Sequence, residues 1–324
     1  MKAAVVDAWG RSPVYTDFPE PQPRDGAVVA TVEASALTNL TRGLVAGVHY
    51  ASKEIELPTV PGIDGVVRLD DGRRIYTGAL APHGMMAQRT LVSTHGTFEI
   101  PDGIDSVTAA AIPNPGVSAW LSLEHGAAVR AGDHVLVLGA TGVTGSIAVQ
   151  LAISLFGAGR VVVAGRDTTR LDWLRSAGAD DAIALGEDEL HARVTALHAE
   201  RPFDAVLDYL WGEPAETTLS ALAASHPAAH HHPTRWVQIG SMAGPTMSLP
   251  AAVLRGTGIV MSGIGIGSVP PEAMAKARTE ALPRLFDMVA DGRLELRTQA
   301  RALADVEQVW TTVEPSGTRV VLTP

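Results

Sequence analysis

One short segment of the chain has the glycine spacing that could bind a phosphate-bearing cofactor. It runs Gly139-Ala-Thr-Gly142-Val-Thr-Gly145 and directly follows the apolar run Val135–Leu138. The apolar run predicts a buried parallel strand, and the glycines predict a tight turn at which a pyrophosphate approaches the backbone of a helix N-terminus. The chemistry that this pattern indicates is the binding of a dinucleotide. The alternative is a tight strand–helix turn that holds no ligand.

Six residues of this turn are the first candidate cofactor contacts. Ala140 takes the first position of the strict G-x-G-x-x-G spacing, while Gly142 and Gly145 take the second and third. We expect Thr144 to present its backbone N–H to phosphate, because helix N-termini leave such amides unpaired. The candidate contacts are Gly139, Ala140, Thr141, Gly142, Val143 and Thr144.

The end of the next strand decides which dinucleotide is bound. Sites for NAD place an Asp or Glu there to bind the ribose 2′-hydroxyl. Here Gly165 is followed by Arg166, and Arg170 lies one helical turn further along. Guanidinium groups suit a 2′-phosphate, so these residues predict NADPH rather than NADH. Asp167 leaves an alternative open, since it could be the acidic partner of NAD; we expect it instead to cap the following helix.

Two later loops are expected at the same edge of the sheet, because the carboxyl ends of parallel strands share that edge. The first follows a predicted strand and contains Tyr209 and Leu210. The second contains Gly240 and Ser241, which could approach the nicotinamide ribose. Ordinary strand–loop connections are the alternative interpretation of both.

These segments lie within an alternation of strands and helices, which is typical of a doubly wound parallel sheet. The predicted strands are His134–Leu138, Arg160–Ala164, Ala182–Leu185, Asp204–Leu207, Arg235–Ile239 and Gly258–Met261. The predicted helices are Thr144–Phe156, Thr168–Ala177, Glu187–Ala199 and Pro214–Ala223. We therefore expect an α/β fold with its dinucleotide-binding domain over residues 113–267.

The remaining chain predicts a second, β-rich domain. Short apolar or alternating runs fill residues 1–112, and Gly, Pro and Asp separate them. A short helix is expected at Asn39–Ala46 with Thr38 as its cap. After a helix at Pro271–Asp291, the strand Gly317–Leu322 is expected to rejoin the first segment, which assigns 1–112 and 268–324 to one domain.

Composition limits the partners of the protein. The chain has 324 residues, no cysteine and a formal net charge of −10. The negative charge argues against nucleic acid as a partner, and the absence of cysteine excludes disulfides and thiolate-held metals. No signal peptide or membrane-spanning segment is evident, so we expect a cytoplasmic protein without a membrane partner. We interpret His230–His232 as a solvent-exposed loop before the fifth strand, with adventitious metal affinity as the alternative.

Several motifs together resemble one family. Their order and spacing match the zinc-independent quinone oxidoreductase branch, related to ζ-crystallin, of the medium-chain dehydrogenases/reductases. The resemblance covers essentially the whole chain. The motifs are Leu57-Pro-Thr-Val-Pro-Gly-Ile-Asp-Gly65, Pro101-Asp-Gly103 with Thr108–Ile112, Ala131 to Gly145, and Gly178-Ala-Asp180.

The resemblance implies a GroES-like β domain, a Rossmann domain and a cleft between them. It also implies independence of zinc, because zinc-dependent members have Gly-His-Glu where this chain has Gly62-Ile-Asp64 and carry a cysteine-bearing lobe that is missing here. Arg170 takes the place of a Lys that contacts the 2′-phosphate in the branch. Relatives often form homodimers by pairing sheets edge to edge. We therefore expect a homodimer whose interface includes Gly258–Ile266, because this segment supplies an edge strand.

Hydride transfer without a metal favours conjugated acceptors, because a quinone or enone spreads the developing charge over an enolate that hydrogen-bond donors can stabilise. The resemblance places Asn39 near the nicotinamide, although Arg42 replaces the Asp of the Asn-x-x-Asp segment. In sequence, Tyr50 lies close to the position of a Tyr that the branch places at its substrate cleft. The alternative is a Tyr packed under a loop. His49 is a weaker candidate. Asn114 is a candidate at the domain junction.

These residues predict an NADPH-dependent reductase of quinones or α,β-unsaturated carbonyls, with Asn39 and Tyr50 as the candidate catalytic residues. One alternative is an enoyl reductase that acts on a thioester or a biosynthetic intermediate. The other is an NADPH-binding sensor or structural protein with little turnover.

Overall fold

The chain folds into two separate units. The computed structural model describes residues 1–225 and 232–324, apart from the side chain of Tyr50. Unit 1 combines Met1–Asn114 with Leu296–Pro324, and unit 2 is Pro115–Glu295. Among the described residues, unit 1 has a two-stranded and a seven-stranded sheet, and unit 2 has a six-stranded sheet.

The first segment of unit 1 is rich in short strands, as its alternating pattern predicts. The strands are β1 (Lys2–Val5), β2 (Val14–Asp17), β3 (Ala27–Ala36), β4 (Asp64–Arg68), β5 (Arg74–Gly78), β6 (Arg89–Ser93) and β7 (Phe98–Glu99). The helices are α1 (Asn39–Val45) and α2 (Ser106–Ala111), with a 3-10 turn at Tyr50–Glu54. Thr38 caps α1 by accepting a hydrogen bond from Thr41 N at 3.0 Å, which confirms the predicted cap.

Unit 2 contains a parallel sheet covered by helices. Its strands are β8 (His134–Leu138), β9 (Arg160–Gly165), β10 (Asp181–Ala184), β11 (Ala205–Asp208), β12 (Pro233–Gln238) and β13 (Gly258–Gly263). Its helices are α3 (Pro113–Leu121, which begins just before the unit), α4 (Val143–Ser154), α5 (Thr168–Ser176), α6 (Leu190–Glu200), α7 (Gly212–Ala224), α8 (Ala251–Gly256), α9 (Pro271–Lys276) and α10 (Leu282–Ala290). Single π-helical turns cover Ser122–Gly126 and Ala277–Ala281.

The strand order of this sheet identifies its ligand-binding edge. The order is β10-β9-β8-β11-β12-β13, and every neighbouring pair is parallel. The direction of winding reverses between β8 and β11, so a crevice opens there at the carboxyl ends of the strands. This arrangement is the doubly wound α/β fold that the strand–helix alternation predicts.

The last segment of the chain completes unit 1. It consists of β14 (Arg297–Ala302), a 3-10 turn at Leu303–Asp305, α11 (Val306–Thr311) and β15 (Thr318–Thr323). In β15, Val321 and Leu322 pair antiparallel with Ala36 and Ser35 of β3, so the tail rejoins the first segment as predicted. The larger sheet has the order β14-β15-β3-β4-β5-β7, and β6 pairs with β3.

The core of unit 2 lies against the central strands. All five residues of β8 are fully buried, which accounts for the uninterrupted apolar run Val135–Leu138 that follows His134. On one face of the sheet, Leu136, Phe203 and Trp236 pack with the apolar residues of α6 and α7. This packing fixes the positions of the loops at the carboxyl edge.

The boundary at the end of unit 2 differs from the predicted one. The predicted β-rich domain resumes at residue 268, whereas residues 268–295 belong to unit 2. Side-chain contacts hold this segment there: Gln150 Nε2 donates to Glu295 O at 3.0 Å, and Lys276 pairs with Glu124 at 2.6 Å. These contacts join residues more than a hundred positions apart and have no local sequence pattern.

No helix in the described ranges is both long and apolar enough to cross a membrane.

Candidate functional site

The turn between β8 and α4 requires two of its three glycines for structural reasons. Gly139 has φ +83°, a backbone conformation that other residues rarely adopt. A Cβ at Gly145 would lie 2.3 Å from Gly139 O, so this glycine allows the close packing of helix on turn. Gly142 differs, because its φ is −72° and a Cβ there would meet Gly139 O alone, at 3.3 Å. A glycine that local structure does not require is expected where a ligand approaches the backbone.

The N-terminus of α4 opens above this turn. Gly142 is the N-cap and provides no side-chain hydrogen bond. The first helical bond runs from Ser146 N to Gly142 O at 2.9 Å, so the amides of Val143 and Thr144 precede it. Ala140 and Thr141 are buried beneath the turn. These amides, together with the helix dipole, favour an anionic group.

The end of β9 contains the two candidate arginines in different settings. Arg166 is exposed, whereas Arg170 is 2% exposed and its guanidinium lies 4.2 Å from the ring centre of Trp173. Asp167 caps α5, since its carboxylate accepts a hydrogen bond from Arg170 N at 3.0 Å. This contact confirms the capping role that we expected for Asp167.

Gly165 allows the end of β9 to approach the glycine turn. A Cβ at Gly165 would lie 2.4 Å from Cγ2 of Thr141. Both Gly139 N and Ala140 N donate to Ala164 O, at 2.9 and 3.0 Å. The structure therefore brings together the two sequence segments predicted to bind the diphosphate and the 2′-phosphate.

The loops after β11 and β12 also adjoin one another. Gly240 N donates to Asp208 O at 3.1 Å, and a Cβ at Gly240 would lie 2.7 Å from Tyr209 O. Leu210 reaches the glycine turn, where its Cδ2 lies 3.0 Å from the place of a Cβ on Gly139. Ser241 is exposed at the same edge. Of the later candidates, Leu210, Gly240 and Ser241 thus lie around the carboxyl edge of the sheet.

Tyr209 differs from these neighbours, because its side chain points into the protein. It is 7% exposed, and burial raises the pKa of its phenol far above the ordinary value, with Ser122 acting in the opposite direction. Only the backbone of Tyr209 is therefore suited to contact a cofactor.

Asp208 anchors the loop that follows β11, a role that the sequence analysis missed. Its Oδ1 accepts hydrogen bonds from Leu210 N and Trp211 N, both at 2.9 Å. Asp208 is fully buried, and this burial raises the pKa of its carboxyl, while the two amides and the Trp236 indole act to lower it. The sequence signal for this role is an Asp at the end of a buried strand. A carboxylate in that position can accept hydrogen bonds from the amides two and three residues further along the chain.

A cavity of about 540 Å³ opens next to these loops, at the carboxyl ends of β12 and β13. It lies wholly within unit 2. Its lining residues are Trp211, Gln238, Ser241, Pro245, Met261, Ser262 and Gly263. Its size is that of a pocket for a small molecule.

The catalytic candidates from the N-terminal segment lie in unit 1. Asn39 is the exposed first residue of α1, and the backbone of Tyr50 begins a 3-10 turn; the Tyr50 side chain lies outside the described part of the structure. His49 caps that turn by accepting a hydrogen bond from Ala51 N at 3.2 Å. Arg42, which replaces the Asp of the family segment, stacks on Trp310 with 5.3 Å to the ring centre. Asn114 is half-buried in α3.

The described residues include no group of three or more His, Cys, Asp or Glu side chains arranged to hold a metal ion. Asp64, from the segment that resembles the metal site of zinc-dependent relatives, accepts a hydrogen bond from Tyr76 Oη at 2.7 Å. His230 and His231 lie outside the described residues, and His232 contacts Asp204 at 3.2 Å.

Comparison with known proteins agrees with this architecture. The family described as zinc-binding dehydrogenase matches residues 143–280. A protein of Emericella nidulans, named as a probable NADPH-dependent quinone reductase, is 26% identical over the full length of both chains. The quinone oxidoreductase of Homo sapiens is 31% identical over 47% of this chain and 49% of its own, so that match spans about half of each protein.

A solved structure shares the fold over the whole chain. The quinone oxidoreductase from Thermus thermophilus, described together with its complex with NADPH, is 27% identical with a TM-score of 0.80, and the match covers 100% of both chains. The sheet order, the glycine turn and these relatives agree. Over its full length the chain is similar to quinone oxidoreductases of the medium-chain dehydrogenase/reductase superfamily.

Proposed function

We propose that this protein is an NADPH-dependent oxidoreductase that transfers hydride to a quinone or an α,β-unsaturated carbonyl without zinc. The observation that carries the proposal is that a glycine, Gly142, caps the N-terminus of α4. Its φ of −72° does not require glycine, and a Cβ there would meet only Gly139 O, at 3.3 Å, yet the residue caps the open N-terminus of α4. A diphosphate passing over the backbone at this point explains the residue.

The residues around the turn fit NADPH in three places. The diphosphate would be held at Gly142, the N-cap, and by the amides of Val143 and Thr144, which begin α4. The 2′-phosphate would be held by Arg166 and Arg170, whose guanidinium groups suit a phosphate, while Asp167 caps α5. Gly240 and Ser241 support the nicotinamide end, as the sequence analysis expects.

The bound cofactor would supply a hydride from C4 of its nicotinamide. With a quinone as acceptor, the balanced reaction consumes the quinone, NADPH and one proton, and yields the hydroquinone and NADP⁺. The task of the protein is to hold donor and acceptor in register and to exclude water from the site. A conjugated acceptor spreads the negative charge that develops on its oxygen during hydride transfer. Hydrogen-bond donors are therefore sufficient to stabilise that charge.

Independence of zinc rests on the ligand chemistry of the chain. It has no cysteine, and Ile63 stands where zinc-dependent relatives have the ligand His. Asp64 is already engaged by Tyr76, and burial raises the pKa of its carboxyl. The residues present at this segment therefore do not fit a thiolate-and-imidazole zinc site.

A homodimer is the assembly that we propose, formed along the edge strand β13. Among the described strands, Gly258–Gly263 has one neighbour in the sheet, β12, and it carries no charged residue. Val260 on this strand is 61% exposed. Edge strands without protecting charges pair readily with another strand.

The deciding experiment is a reduction assay that follows NADPH oxidation at 340 nm. The acceptors are ortho- and para-quinones, simple enones and aliphatic ketones, with NADH in parallel. Turnover of quinones or enones, with ketones inert and NADPH preferred, is the expected result. If NADPH binds but no acceptor of the panel is reduced, the proposal is contradicted. That result would favour an enoyl reductase with a narrow substrate range or a sensor with little turnover.

A further inference from the structure

The chain leaves unit 2 at a residue whose backbone is held by one side chain. Glu295 ends unit 2, and Leu296 is the first residue of the tail segment of unit 1. Gln150 Nε2 donates to Glu295 O at 3.0 Å, and Gln150 Oε1 accepts from Glu295 N at 2.7 Å. Both polar groups of the Glu295 backbone therefore bond to the same side-chain amide.

The Gln150 amide uses all of its donors in this arrangement. Its Nε2 carries two hydrogens, of which one goes to Glu295 O and the other to Ser146 O at 3.1 Å. The side chain lies in the protein interior, since Gln150 is 7% exposed. Because a buried amide that lost these partners would be left unsatisfied, its hydrogen bonds hold the side chain in one orientation.

The same side chain belongs to the helix that begins at the glycine turn. Ser146 and Gln150 lie one turn apart on α4, and both are buried. Ser146 N donates to Gly142 O at 2.9 Å, and Ser146 O accepts from the Gln150 side chain. A continuous series of hydrogen bonds thus connects the N-cap of α4 with the backbone of Glu295.

The residues on either side of Glu295 allow an opening of this segment to be detected. Leu294 is 2% exposed and anchors the chain just before Glu295. Arg297 begins β14 just after it, and both Arg293 and Arg297 are exposed. If the amide released Glu295, the chain between the Leu294 anchor and β14 would be freed next to two sites at which trypsin cleaves.

We propose that Gln150 is a positioning residue that couples occupancy of the glycine turn to the peptide Glu295–Leu296, where the chain passes from unit 2 to unit 1. An anionic group bound at the N-terminus of α4 stabilises the helix in the form that holds Gln150 against Glu295. Binding at the turn then suppresses local opening of residues 293–297. The coupling to NADPH rests on the proposed function, whereas the hydrogen bonds to Glu295 do not.

Limited proteolysis tests the proposal without turnover. The full chain is digested with trypsin, with and without saturating NADPH, and mass spectrometry follows cleavage after Arg293 and Arg297. Gln150→Met keeps the length of the side chain but removes its hydrogen bonds, so we expect cleavage there about tenfold faster than in the wild type. NADPH should slow this cleavage about threefold or more in the wild type and have little effect in Gln150→Met.

Two further variants separate this coupling from a general loss of stability. Gln150→Glu keeps the shape of the side chain, but its carboxylate cannot donate to Glu295 O, so it should also open the segment and lose the response to NADPH. Ser154→Ala removes a different hydrogen bond of α4, from Ser154 Oγ to Gln150 O at 2.6 Å. This control should match the wild type in its cleavage rate and in its protection by NADPH.

Three outcomes would overturn the inference: equal cleavage in the wild type and both Gln150 variants, acceleration spread equally over the arginines of the whole chain, or protection by NADPH as strong in the variants as in the wild type. Titration calorimetry verifies that the wild type binds NADPH, and a failure to bind would overturn both this inference and the proposed function. If NADPH binds and protects but no acceptor is reduced, the proposed function fails while the coupling stands. If acceptors are reduced and NADPH gives no protection, the coupling fails alone.

Discussion

The Asp167 carboxylate accepts a hydrogen bond from the backbone nitrogen of Arg170 at 3.0 Å, and this contact ties the acidic residue to the start of α5. An acidic residue here could have served the 2′-hydroxyl of NAD. Because the carboxylate instead caps the helix, the cationic side chains of Arg166 and Arg170 remain as the candidates for a 2′-phosphate.

Replacing Arg166 with Ala should weaken NADPH binding about tenfold to a hundredfold and leave NADH binding nearly unchanged, since charge-assisted bonds to phosphate contribute about 1.5–3 kcal/mol. Arg170→Ala should show the same selectivity and also lower stability, because Arg170 is buried over Trp173. Titration calorimetry with both cofactors measures this, with Arg175→Ala, on the exposed side of α5, as the control. Equal losses for NADPH and NADH would contradict the phosphate assignment.

Alanine at the second and third glycines of the turn should have different consequences. Gly145→Ala places a Cβ 2.3 Å from Gly139 O, so we expect a loss of unfolding free energy of about 1–3 kcal/mol. Gly142→Ala should lower stability less than Gly145→Ala, because its Cβ would lie 3.3 Å rather than 2.3 Å from Gly139 O. It should also reduce NADPH affinity, because its methyl group would occupy the path of the diphosphate. Urea denaturation and cofactor titration separate the two effects. Full NADPH affinity in Gly142→Ala would argue against a diphosphate at this point.

The buried charges of unit 1 predict a pH-dependent stability. Burial raises the pKa of Asp64, with Tyr76 and Arg319 acting to lower it, while burial lowers the pKa of Arg319 to about 10. In Arg319→Met the Asp64 carboxylate loses its counter-charge, so its folded pKa should rise further above the unfolded value. Folding then takes up a proton, and stability is lost as pH rises from the unfolded pKa of Asp64 through the folded one.

The destabilisation of Arg319→Met should therefore be smaller at pH 5 than at pH 8. Urea denaturation at both values checks this. Adding Asp64→Asn should restore part of the stability at pH 8. A destabilisation that is independent of pH would show that Asp64 and Arg319 are not coupled.

Chelation should not affect the reductase activity. The chain has no thiolate ligand, and its described part contains no metal-binding cluster. Protein dialysed against EDTA should keep its rate of NADPH oxidation, and elemental analysis should find less than one zinc per chain. An activity that falls on chelation and returns with Zn²⁺ would overturn the zinc-free mechanism.

A charge on the edge strand should disrupt the proposed dimer. Val260→Lys introduces a cation on β13, and edge charges prevent pairing between strands. Sedimentation velocity should show a dimer for the wild type and a monomer for the variant. Val313→Lys, at a residue that is 94% exposed in unit 1, is the matched control and should remain dimeric. A wild type that sediments as a monomer would rule out this assembly.

The local features of the site were predictable because they depend on neighbouring residues. The apolar run of β8, the spacing of Gly139 to Gly145 and the cap at Asp167 each have a pattern within a few positions. By contrast, β14 escaped prediction, because its sequence Arg-Thr-Gln-Ala-Arg-Ala is polar and its one partner among the described strands is β15. Short edge strands have little apolar alternation to recognise.

By itself, the sequence determined the α/β class, the position of the dinucleotide turn and the absence of thiolate ligands, since these follow from the order and types of residues. Only the tertiary structure decided the backbone conformation of Trp211, which has an ordinary sequence context yet a positive φ of 57°. It also decided that residues 268–295 stay with unit 2. Both outcomes depend on contacts with distant strands and helices, and such contacts form only when the chain has folded.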